Sequence, residues 1–213
     1  GYNAGLVLQG ASQGNTILGS TAGAALTTGD ENTIVGKGAG VAMTSNAANT
    51  IIGQGAFAAA DAGENNNVVI GAGAGGSVNH NDSDGNVLIG VGAATGGAAY
   101  LDGCVVIGSN AMNSTAANNQ TGTIAIGINA LTALTDGIGN IAIGGNALDA
   151  ETQGDFNTAV GYQALTAQVG VNGTVGNTAI GYQSGMAITT GIGNVSVGRG
   201  SLIAEADGDR NTA

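Results

Sequence analysis

A glycine returns along the whole chain at Gly1, Gly19, Gly36, Gly53, Gly71, Gly90, Gly108, Gly127, Gly144, Gly161, Gly181 and Gly198, 17 to 20 residues apart. Around it a nine-residue motif is repeated. Asn-Thr-Ala-Val-Gly-Tyr-Gln-Ala-Leu at Asn157 to Leu165 comes back as Asn-Thr-Ala-Ile-Gly-Tyr-Gln-Ser-Gly at Asn177 to Gly185, and weaker copies precede them. A period of this length, built on a short aliphatic strand and a Gly/Asn turn, predicts an all-β fold: a parallel β-roll or β-solenoid with one coil per repeat. Residues 1–213 read as a single array of about twelve coils. At a strand spacing of about 4.8 Å, such a stack makes a rod of roughly 55 Å.

Composition supports an ordered array over a flexible one. Glycine supplies 42 of 213 residues, yet no Gly-X-Y period and no Ser-Gly tract occurs, and Val, Ile and Leu recur at fixed places. Proline is absent, which suits a stack whose backbone N–H groups are needed for the ladder between coils. A net charge of -11, with Lys37, Arg199 and Arg210 as the strong bases, argues against nucleic acid and anionic membrane surfaces as partners. No run of about 20 apolar residues is present for insertion into a membrane, and no signal peptide is visible. The single Cys104 excludes an intrachain disulfide.

We number the motif from its asparagine, position one, so that the glycine is position five. Position one is Asn in ten of the twelve copies between Asn15 and Asn211, with Cys104 and Thr123 as the exceptions; stacked amides predict a hydrogen-bonded ladder. Position four is aliphatic in every copy from Leu18 to Val197, and is expected to face the core with position two, which holds Thr, Val or Ile. Position three then points outward. It holds Ile17, Ile34, Ile51, Val69, Leu88 and Val106, then mostly Ala from Ala125 on. A strand apolar on both faces needs a second cover, and another copy of the chain is the expected one. The change to small residues at Ala125 predicts that this cover comes closer in the C-terminal half.

Position seven, Gly, Asn, Gln or Thr, predicts a bend, and the uniformly small position eight, from Ala4 to Ser201, predicts closely spaced walls. Every acidic residue from Asp30 to Asp209 lies in the return segment between motifs, where the length variation also sits, as in Ser77 to Gly85 and Gln168 to Gly176. These segments read as outer loops that keep an apolar rod in solution. The chain opens on the second half of a motif and closes on Asn211-Thr212-Ala213, the first half of another. The expectation is a segment of a longer fibre, with any export signal, anchor or tip lying outside it.

The motif at Asn157 and Asn177 resembles the head-type repeat of bacteriophage tail fibres and is similar to the Asn-Ser-Val-Ala-Ile-Gly repeat of trimeric autotransporter adhesin heads. The likeness spans nearly the whole chain and is most specific from Thr123 to Ala213. It implies an intertwined or side-by-side homotrimer on the outside of a virion or a cell, acting as a fibre shaft that positions or contributes to host attachment, with a cell-surface polysaccharide or protein as the possible target. The autotransporter unit is shorter than the spacing here, and the longer return loops fit phage fibres better.

Chemistry is the competing reading. Glycoside cleavage needs two carboxylates about 5 to 10 Å apart in a groove. Asp149, Glu151 and Asp155 share one loop, and Glu205, Asp207 and Asp209 another, but neither has aromatic sugar platforms, so no enzyme is expected and no catalytic residue is assigned. Asn79-His80-Asn81-Asp82-Ser83-Asp84-Gly85 spaces its oxygens like a calcium loop but lacks the downstream Glu. A solvated loop without metal or cofactor is expected. Tyr162 and Tyr182, at equivalent places on adjacent coils, are expected to stack on each other. Threonines at position two, Thr16, Thr33 and Thr50 in particular, raise an ice-binding solenoid as a third function. That reading ranks low if they share the inward face with position four.

Overall fold

The computed structural model describes residues 1–9, 12–97, 100–114, 118–170 and 172–213. The chain is a parallel β-solenoid, with no helix among those residues. Its principal strands are β1 (Thr16–Leu18), β2 (Thr33–Val35), β3 (Thr50–Ile52), β4 (Val68–Ile70), β5 (Val87–Ile89), β6 (Val105–Ile107), β7 (Ile124–Ile126), β8 (Ile141–Ile143), β10 (Thr158–Val160), β12 (Thr178–Ile180) and β13 (Val195–Val197). They form one eleven-stranded parallel sheet in chain order. β9 (Gly154–Asp155) and β11 (Gly173–Thr174) pair separately in the return segments; within the Gln168 to Gly176 segment, Val171 lies outside the described residues.

Register is the same at every step: Ile34 pairs with Ile51, Leu88 with Val106, Ala159 with Ala179. Each copy of a motif position therefore lies beside its counterpart on the next coil. A strand of three residues is too short to be stable alone, and the stack supplies its hydrogen bonds and its cover.

Besides the position-five glycine, whose φ lies between 123° and 146° from Gly19 to Gly198, three residues per coil with φ between 48° and 68° turn the chain. Position seven has φ between 54° and 68° throughout, from Asn3 to Gly200, as Gly and Asn there predict. The residue just before the asparagine is left-handed as well, including Glu31, Ala48, Phe156 and Arg210. The third is position nine, and its residues are not those the sequence leads one to expect. Leu131, Leu148 and Leu165 have φ near 51°, with Phe57 and Met112 alike. A left-handed backbone costs a bulky residue about 1 kcal/mol or more. Here it drives the side chain into the coil, where all five are fully buried, and burial of that much apolar surface returns about 1.5 to 3 kcal/mol.

The core reverses the expected strand faces. Position three points inward: Ile34, Ile51, Val69, Leu88, Val106, Ala125, Ala142, Ala159 and Ala179 are all fully buried. Positions two and four point outward, with Leu18 62% and Val197 55% exposed. The expectation that position four faces the core is therefore wrong. By strand alternation position three shares its face with position one, and the amides of position one are themselves buried.

This also corrects the reading of the switch at Ala125. Positions three and nine meet in the core, and in most coils a large residue at one goes with a small one at the other, although Ile51 with Phe57 and Val106 with Met112 are both large and Ala179 with Gly185 both small. Ile17 and Ile34 crowd Gly23, where an added Cβ would stand 3.3 and 3.2 Å from their Cδ1 atoms. Val69 and Leu88 crowd Gly75 in the same way. From Ala125 on, alanine at position three faces Leu131, Leu148 and Leu165 at position nine. The change conserves core volume within one chain and says nothing about a cover.

The asparagine ladder is present with more bonds than stacked amides alone would give. Asn86 accepts the Cys104 N–H on Oδ1 at 2.9 Å, while its Nδ2 donates to Asn67 Oδ1 at 3.0 Å and to the Leu101 carbonyl at 2.9 Å. Asn32, Asn49, Asn140 and Asn157 repeat parts of this scheme. The amide thus ties three points of the stack in a dry interior. Asn86→Ala should destabilise the protein by about 2 to 4 kcal/mol, because it strands buried backbone groups, whereas Gln54→Ala at an exposed position six should change stability by under about 0.5 kcal/mol. Urea unfolding followed by circular dichroism measures both. At the break in the ladder the Cys104 thiol turns to the Gln120 carbonyl, and Thr123 Oγ1 and Gln120 Oε1 are left without a partner.

Candidate interaction surface

The feature of the molecule that calls for a function is the outward face of the eleven-stranded sheet. Two columns run along it in register. One is position two, Thr16, Thr33 and Thr50, then Val68, Val87, Val105, Ile124 and Ile141, then Thr158 and Thr178. The other is position four, aliphatic throughout. From β4 to β8 both columns are aliphatic, so the middle of the face carries no polar side chain over five successive strands. Within one chain these residues are mostly half-buried. Ile52, Ile143 and Ile180 remain more than a third exposed. An apolar surface of this kind is a candidate for interaction. The third column, from Ile34 to Val106, is packed inside the single coil, so the expectation that it needs a second chain as cover is overturned; the apolar residues left on the outside are those of positions two and four.

The threonines expected to point inward accordingly face outward. They form two short runs at the ends of the sheet, separated by the aliphatic middle.

Beside this face, position six places Tyr162 and Tyr182 in a stack, ring centroids 5.8 Å apart and planes 13° from parallel. Arg199 continues the column, its guanidinium 5.8 Å from the Tyr182 ring. Both tyrosines turn about half their surface to solvent. The ladder of amides next to them, Gln183 Nε2 to Gln163 Oε1 at 2.9 Å and Asn129 Nδ2 to Asn146 Oδ1 at 3.1 Å, fixes the turn from outside as the Asn ladder does from within.

The acidic loops do more than solvate. Aspartates two residues before the asparagine reach back one coil and accept a backbone N–H: Asp30 from Gln13, Asp84 from Asn65, Asp155 from Ile138 and Asp209 from Ile192, at 2.6 to 2.9 Å. Asp149 accepts the Thr166 hydroxyl, and Glu205 the Gly208 N–H. Asp207 accepts the hydroxyls of Thr189 and Thr190, which hold its carboxyl below the usual range. Glu151 is not on an outer loop at all. It is buried, and its Oε1 collects the N–H groups of Thr152, Gln153, Gly154 and Gly170 at 2.8 to 2.9 Å. The carboxylates weighed for sugar cleavage thus accept hydrogen bonds from backbone N–H groups or, at Asp149 and Asp207, from threonine hydroxyls.

His80 is exposed and lies 4.8 Å, centroid to centroid, from Tyr100. Among the described residues no three His, Cys, Asp or Glu side chains converge as a metal ion would require, and no pocket opens. Cys104 is buried and its thiol is pushed up to about 11 by desolvation, the signature of an inert packing residue. No helix of the described residues is long and apolar enough to cross a membrane. No protein-family model, curated protein or solved structure matches the chain.

Proposed function

We propose that the chain is a shaft segment of an extracellular attachment fibre, a phage tail fibre, in which three copies run side by side with their outward sheet faces turned to a common axis. The observation that carries this reading is the aliphatic double column from Val68 to Ile143, which in a rod standing alone in water stays half-buried and in partial contact with solvent over five coils. Stacked coils with in-register amide ladders make a stiff rod, the property a fibre needs in order to hold a binding tip away from a particle. The number three comes from the resemblance of the motif to fibre and adhesin heads. In this reading the carboxylates are structural and the chain is not an enzyme; host polysaccharide or protein would be met at the tip or by the return loops.

The bacterial adhesin differs only in what the rod is fixed to. Antibodies raised against the purified segment should decorate thin rods projecting from virions in electron micrographs. Rods on bacterial envelopes would move the assignment to an adhesin, and label on neither would overturn both.

The ice-binding reading has one observation in its favour, the outward threonines of β1 to β3 in register. The aliphatic middle interrupts that array, so the fibre ranks first. Thermal hysteresis in a solution of the purified chain would reverse the order.

A further inference from the structure

The interior of the solenoid holds two carboxyl groups, and they are treated very differently. Glu151 has four backbone N–H groups on one oxygen and, like Glu64, no partner on the other. Glu64 is equally buried, with no exposed surface, but its Oε2 receives a single donor, Asn46 Nδ2 at 2.6 Å, and its Oε1 has no partner. Glu64 stands three residues before Asn67, in an inward column that runs Asn46, Glu64, Ser83, Leu101 and Gln120 on successive coils. The other members of that column are neutral. Its backbone carbonyl is also a rung of the Asn ladder, accepting Asn49 Nδ2 at 2.9 Å.

The charges around it make the contrast sharper. Asp61 on its own return segment and Asp84 on the next one both act on it with like charge. The following return segment also carries His80 and Asp82, both exposed, and the preceding one, from Val41 to Ala48, carries no titratable side chain. Among the described residues no positive charge acts on the carboxyl. The ionised form is favoured by the Asn46 amide and by the backbone of Glu64 itself, but desolvation outweighs both and the two aspartates add to it, so the carboxylate is poorly stabilised. The neutral acid loses far less by being there.

We propose that Glu64 is a proton-operated latch between the coils of β3 and β4: with the carboxyl protonated the Asn46–Glu64 rung closes the stack, and with it ionised this joint loosens locally. Desolvation, ahead of the two aspartates, raises its titration above the ordinary glutamate value of 4.5. A raised value in the folded state means that the stabilising contribution is full below 4.5 and is lost as pH climbs through the folded value. The rod then has an acid-hardened joint at one defined coil, independent of the outward face and of whatever covers it.

Hydrogen exchange at residues 41–67, corrected for the intrinsic pH dependence of exchange, tests this between pH 4 and 8 in the wild type and in Glu64→Gln. The wild type should lose protection in this segment as pH rises, while the variant, which keeps the acceptor and removes the charge, should stay protected across the range. If the variant follows the wild type, the response belongs to His80 or the aspartates and the latch is wrong. A carbon-detected titration of the Glu64 carboxyl in the unaltered protein gives a reading free of any folding defect. A midpoint above 4.5 is expected, and one at or below it overturns the proposal.

Discussion

Gly90→Ala is expected to open the solenoid at its own coil, with a loss of about 3 to 5 kcal/mol, while Gly85→Ala five residues earlier costs about 1 kcal/mol. Both glycines have positive φ, but the 139° of Gly90 is a conformation that only glycine takes among the described residues, whereas the 66° of Gly85 is close to that of Glu31 and Ala48, so backbone strain already separates them. Space adds to it. A Cβ on Gly90 would stand 2.5 Å from the Gly108 carbonyl oxygen of the next coil, against backbone that cannot move without breaking the ladder, whereas one on Gly85 meets nothing within 4 Å. Position five is where consecutive coils touch backbone to backbone, and the position before the asparagine is an open turn that already accepts Ala48 and Glu31. Urea unfolding, with amide exchange across Val87 to Gly108 as a local readout, measures the difference. Equal losses in the two variants would show that the glycine column serves chain flexibility and not close contact.

The second large effect separates the two faces of one strand. Val106→Asp places a charge in the closed core of β6 and should prevent folding, since Val106 is fully buried and no cation is at hand to meet it. Ile107→Asp, one residue on, should leave each chain folded, with nearly unchanged circular dichroism, and should abolish association, because three carboxylates would be brought together on a shared apolar axis. An Ile107→Asp protein that still associates would show that the outward face is not where copies meet. A folded Val106→Asp protein would contradict the description of the core itself.

Much of this architecture was legible in the amino-acid sequence because a repeat exposes each structural demand many times over. The coil boundaries, the parallel register, the bend at position seven and the amide ladder all follow from columns in which one residue type recurs. The facing of the strand did not follow, because positions three and four are both aliphatic in the first six coils and alternation says only that they differ. Two signals in the sequence would have settled it. Asparagines stacked in a ladder need a dry interior, and position three shares their side of the strand; large-with-small pairs at positions three and nine, such as Ile34 with Gly40 and Ala142 with Leu148, fit residues that meet, although Ile51 with Phe57 and Val106 with Met112 do not follow the pattern. The left-handed leucines were beyond reach, since nothing in a leucine marks a conformation that leucine ordinarily avoids. The buried pair Glu64 and Glu151 was hidden for a related reason: both lie in segments whose other acids are exposed, and a dry carboxylate is recognised by its partners and not by its neighbours in sequence.

The account rests on copies of the chain sheltering one another along the columns of positions two and four, and the molar mass in solution bears on that most directly. Light scattering on the purified protein, repeated in mild detergent, should give three times the 20.1 kDa mass of the chain in both conditions. A monodisperse, soluble particle of 20.1 kDa would mean that the apolar face tolerates water, and the shared-axis rod would have to be abandoned.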